Sequence, residues 1–107
     1  MLMDLLSFCN IKPVLNQIEV HHYFVQTDLV DFYRKCGVAV EAYAPLSGPS
    51  FPARKGEYKE LNLLKDPVIE SLSNKYNKAP STIILNMHLH HRNHIVIPNT
   101  YNTSHLE

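Results

Sequence analysis

Pro13-Val14-Leu15-Asn16-Gln17-Ile18-Glu19-Val20-His21 is the stretch whose reading decides the fold. Val14, Leu15, Ile18 and Val20 favour a short buried strand that starts after Pro13, while Asn16, Gln17 and Glu19 interrupt it with polar groups that need partners. A strand built this way aims amide and carboxylate groups at something other than a core. Val38 to Tyr43, Val-Ala-Val-Glu-Ala-Tyr, repeats the arrangement, and Ile95-Val96-Ile97-Pro98-Asn99-Thr100 does so again. Each apolar run passes into polar or aromatic residues at its carboxyl end.

Between the first two runs, Gln26 to Gly37 carries a complete set of helix signals. Thr27 is the expected N-cap, Asp28 and Asp31 fall in the first turn, Arg34 and Lys35 in the last, and Gly37 supplies a left-handed stop. Strand, helix and strand with joints this short imply two parallel strands. Pro45 to Gly56 is rich in proline and glycine and reads as a surface loop. A helix is expected from Pro67 to about Tyr76 with Asp66 as its cap, and a second from Ser81 to about His91, leading into a strand at Ile95 to Ile97. Upstream, Leu2, Leu5, Leu6 and Phe8 have the spacing of the last turns of an amphipathic helix, so the chain is expected to start inside an element.

Composition narrows the function. The chain has 107 residues, less than half of the roughly 250 of a typical eight-stranded α/β barrel. Ten Lys and Arg balance ten Asp and Glu with no basic block, which argues against a nucleic-acid partner. No apolar run approaches the roughly 20 residues of a membrane span, so no membrane association is expected. Cys9 and Cys36 make no disulfide framework, and Met1 to Phe8 lacks the basic start and cleavage site of a signal peptide; a cytoplasmic setting is expected. His88, His90, His91 and His94 cluster, but nothing nearby completes a four-ligand metal set, so they read as surface histidines and no metal site is assigned.

In a parallel α/β arrangement ligands bind where strands end, which draws Asn16, Gln17, Glu19, Tyr43, Asn99 and Thr100 towards one rim. Gln17 suits a carboxamide because it both donates and accepts, and Tyr43 offers a flat face for a ring. The stretches Lys12 to His21, Ala42-Tyr43-Ala44-Pro45-Leu46 and Ile97-Pro98-Asn99-Thr100 together resemble, in order and spacing, the last three strand motifs of the aldo-keto reductases. The likeness runs from about Leu5 to the end of the chain.

That resemblance implies a partial (β/α)8 TIM barrel: the last three parallel strands with their outer helices, residues 1–107 forming a C-terminal fragment. It implies hydride transfer between NADP (NAD is the alternative) and a small carbonyl substrate. By position, Gln17 would hold the nicotinamide carboxamide and Tyr43 would stack under the ring. Ala44, Leu46 and Ser47 would approach the pyrophosphate, and Asn99, Thr100 and His105 the ribose 2′-phosphate. Asn99 and His105 replace a lysine and an arginine of the family pattern, Ala44 a serine and His22 a proline. The family's catalytic tyrosine, lysine, aspartate and histidine come from earlier strands, so no catalytic residue is assigned. The alternative is a non-catalytic remnant that binds nucleotide weakly, or binds protein and self-associates through exposed strand edges.

Overall fold

In the computed structural model, residues 2–47 and 62–105 are described. Most of the Pro45 to Gly56 loop lies outside them.

Three strands form one parallel sheet in the order β1 (Leu15–Glu19), β2 (Ala39–Tyr43) and β3 (Ile95–Val96). The register pairs Gln17 with Glu41 and Glu19 with Tyr43, then Glu41 with Ile95 and Ala42 with Val96. Successive side chains of a strand point to opposite faces. One face therefore carries Ile18, Val40, Ala42 and Val96, and the other carries Leu15, Gln17, Glu19, Glu41, Tyr43 and Ile95.

The first of these faces is covered. Helix α2 (Thr27–Lys35) packs Val30 and Tyr33 onto Val20, Val38, Val40 and Ala42, with Ile18, Phe32, Cys36 and Val96 at the margin. A second core joins Leu63, Ile69 and Ile84, from a 3₁₀ turn at Leu63–Lys65, α3 (Pro67–Tyr76) and α4 (Pro80–Asn86), with Leu46 against it. The N-terminal helix α1 (Leu2–Phe8) has no buried residue, and only Leu2 touches the main core.

Several local expectations hold in detail. The Asp66 carboxylate accepts from the Val68 amide at 2.9 Å and caps α3. Gly37 adopts φ 65°, and the Gly37 and Val38 amides return to the Arg34 and Tyr33 carbonyls, both at 2.9 Å, which closes α2. Others are corrected. Thr27 is the first helical residue rather than the cap, because Gln26 turns left-handed at φ 46° and donates its side-chain amide to the Glu19 carbonyl. Asp31 lies beyond the first turn, where it pairs with Arg34 at 2.9 Å. The helix expected from Ser81 to His91 begins at Pro80 and gives way at Met87–His91 to a π-helical turn. The third strand closes at Val96, one residue short of Ile97, just ahead of a proline that has no amide to continue the ladder.

Gly37 provides a direct check. A Cβ there meets only the flexible Lys12 ammonium, at 3.0 Å, so the cost of a side chain is conformational. Gly37→Val should lose about 1–2 kcal/mol of stability in urea denaturation, and Gly37→Asn distinctly less.

Candidate functional site

The face left uncovered by α2 brings together the polar residues of β1 and β2. Gln17 Nε2 donates to Glu41 Oε1 at 2.6 Å across the strand pair. One layer further along, the Tyr43 hydroxyl donates to Glu19 Oε2 at 3.4 Å, and Glu19 Oε1 lies 3.2 Å from His21 Nε2. Desolvation, and behind it the neighbouring Glu19 carboxylate, raises the Tyr43 phenol above its ordinary value. The result is a ribbon of amide, two carboxylates and one aromatic ring. Leu15, Ile95 and Ile97 flank it, each more than a third exposed.

The expected rim is thus partly rearranged. Gln17 stands one layer below Tyr43 rather than at the strand tip, since its register partner is Glu41. Asn16 pairs with Val40 and belongs to the opposite, helix-covered face. After Tyr43 the chain turns sharply: Ala44 and Ser47 both take positive φ, 49° and 53°, and the Ser47 amide donates to the Ala44 carbonyl at 2.8 Å. Pro45 and Ser47 are fully buried in this turn, and Leu46 points into the second core. Past β3, Asn99 is exposed. Thr100 Oγ1 lies 3.1 Å from His105 Nδ1 and accepts from the Asn102 amide, so Thr100 and His105 form one small exposed group.

Sequence reasoning did not single out Glu41, although the strict alternation of Val38 to Tyr43 already places it on the side of Tyr43. It also misread two histidines. His88 and His94 are buried, 3% and 4% exposed, between the sheet and the π-helical turn. Their Nδ1 atoms stand 3.2 Å apart with ring centroids at 5.5 Å, so the two nitrogens face each other at hydrogen-bond distance. His22 meets the His88 ring edge-on and brings Nε2 within 3.1 Å of the Met87 sulfur. His88 lies four residues beyond Ile84, the buried residue of α4, and so falls on the same inward-facing side of the helix. Burial is the main influence lowering the affinity of His22, His88 and His94 for protons, and it takes His88 down to about 4. Among the described residues, no group of three or more His, Cys, Asp or Glu is placed to hold a metal, and no helix is long and apolar enough to cross a membrane.

The model of the aldo/keto reductase family matches residues 3–107. The chain belongs to that family. Among curated relatives, zebrafish aldo-keto reductase family 1 member A1-A is 36% identical over 97% of this chain, and yeast glycerol 2-dehydrogenase (NADP(+)) is 33% identical over 86%. Those stretches are 31% and 26% of the relatives' own lengths, so the chain spans about a third of the proteins it matches. Of solved structures, an aldo/keto reductase from Brucella melitensis superimposes with a TM-score of 0.78 at 34% identity, covering 96% of this chain and 34% of that one. A Gox0644 mutant in complex with NADPH gives 0.80 at 28% identity, covering 98% and 34%. The three parallel strands and their helices are thus part of an aldo/keto reductase barrel.

The buried histidines of this aldo/keto reductase segment should make its stability acid-sensitive. His88 binds protons more weakly folded than unfolded, so between about pH 6.5 and about pH 4 the unfolded chain takes up more protons. Stability should therefore be full above about pH 6.5 and decline as the pH falls towards about 4. Urea midpoints measured across that range should drop, and His88→Phe should flatten the decline.

Proposed function

We propose that this chain carries the nicotinamide-holding part of an NADP-dependent carbonyl reductase, as a C-terminal fragment, residues 1–107, without a catalytic residue of its own. The observation that carries the reading is the juxtaposition of Gln17 and Tyr43 on the sheet face opposite the α2 core. Gln17 keeps its carbonyl oxygen and one amide proton available after donating to Glu41, which matches the donor and acceptor of a nicotinamide carboxamide. The exposed Tyr43 ring is a platform for the ring of the same cofactor, and its hydroxyl is tethered by Glu19. When bound, the nucleotide supplies hydride chemistry; these residues bind and orient it.

The backbone turn at Ala44, Leu46 and Ser47 is the candidate for the pyrophosphate. Its left-handed residues at Ala44 and Ser47 are the kind of strained backbone that collects at ligand sites. Thr100, His105 and the exposed Asn99 form the candidate for the ribose phosphate. No Lys or Arg belongs to that group, so discrimination between NADP and NAD should be weak. The substrate is a small carbonyl compound of the complete reductase, and a cytoplasmic location fits a chain with two free thiols.

A second reading rests on the strand edges. β1 and β3 each pair on one side only among the described residues. Unpaired edges next to exposed Leu15, Ile95 and Ile97 favour association with further strands, including those of another copy.

Fluorescence titration tests the main reading. The 107-residue chain should bind NADP(H), Gln17→Ala and Tyr43→Ala should each abolish measurable binding, and no NADPH oxidation with a broad aldehyde should occur. Asn99→Lys with His105→Arg should raise the NADP-to-NAD affinity ratio about tenfold or more. An unchanged ratio would count against the phosphate assignment.

A further inference from the structure

We propose that Glu41 makes this face select the oxidised form of a nicotinamide nucleotide over the reduced form. The inference rests on the reading of Gln17 and Tyr43 given above. The pyridinium ring of the oxidised nucleotide carries a positive charge, and the dihydronicotinamide ring does not. A carboxylate beside the bound ring therefore distinguishes the two.

The register supplies that carboxylate. Gln17 and Glu41 are direct neighbours across the strand pair, and the 2.6 Å bond between them holds the acid against the amide that would grip the carboxamide. Glu41 is also two residues from Tyr43 on the same strand and the same face, about 6.6 Å along the strand. A ring stacked on Tyr43 with its carboxamide on Gln17 thus lies over Glu41. Among the described residues neither acid of this face meets a Lys or Arg: Glu41 contacts Gln17, and Glu19 contacts Tyr43 and His21. Glu41 thus has a neutral partner, and its charge acts on whatever lies above it.

Opposite unit charges at this spacing attract weakly in water and more strongly near a protein surface, which brackets the selection between about threefold and several tens-fold. About fivefold is expected for so open a face. The same bond gives Glu41 a positioning role, because it commits one Gln17 amide proton to one side and leaves the other, with the oxygen, for the ligand.

The test compares the affinities of the whole chain for NADP+ and NADPH. The chain should hold NADP+ about fivefold more tightly at low ionic strength, and the ratio should shrink towards one near 1 M salt, where the screening length is about 3 Å. Glu41→Gln keeps an acceptor for Gln17 and removes the charge, so it should bind both forms with a ratio near one. Equal affinities in the unsubstituted chain, a preference for NADPH, or a preference that survives Glu41→Gln would each overturn the proposal while leaving the nucleotide site intact. Binding of neither form would remove the underlying site and the proposal with it. If Glu41→Gln fails to fold, the ratio in the unsubstituted chain and its salt dependence decide alone.

Discussion

The parallel pairing of Leu15–Glu19 with Ala39–Tyr43 is the constraint on which the rest of the structure depends. A strand's side chains alternate, so a one-residue slip would carry Val40 and Ala42 into water and push Glu41 and Tyr43 under α2. Buried Val20, Val38, Val40 and Ala42 prevent that slip. The same apolar contacts that hold α2 in place thereby force Gln17, Glu19, Glu41 and Tyr43 onto the other side as a set. Core and candidate site are two consequences of one register.

The two faces treat polar groups in opposite ways. On the open face, amide, phenol and carboxylates satisfy one another while staying within reach of a ligand. On the covered face, His22, His88 and His94 lie against one another, and burial disfavours their charged forms. The Nε2 atoms of His88 and His94 are buried without a hydrogen bond of normal geometry, although the Pro45 backbone carbonyl favours protonation of His88. Such groups each carry an unmet desolvation cost of about 1–3 kcal/mol. The open face of the segment is polar and its least comfortable contacts lie beneath the sheet.

Much of this was legible in the residues. Asp66 before Pro67 and Gly37 after Lys35 are local signals whose effect does not depend on distant partners, and both behave as read. The parallel strand order followed from the short strand–helix–strand joints, and the family from three linked motifs. Tertiary structure overrode local pattern elsewhere. Thr27 lost the cap to Gln26 because a side chain seven residues on reaches back to the Glu19 carbonyl. The run Met87 to His91 reads as ordinary helix, yet it forms a π turn, and His88, four residues beyond buried Ile84, lies in the interior rather than at the surface. Asn16 stands beside Gln17 in sequence, but strand alternation puts the two on opposite faces. Alternation places Glu41 on the side of Tyr43, and the strand register adds Gln17 as its partner.

The most direct measurement of the central claim is a set of intermolecular nuclear Overhauser contacts between NADP+ and the isotope-labelled chain. Cross-peaks from the nicotinamide ring protons to the Tyr43 ring and the Gln17 side-chain amide are expected, with none to Val40 or Tyr33. Contacts on the α2 side of the sheet instead, or a bound nucleotide that touches neither Tyr43 nor Gln17, would contradict the account.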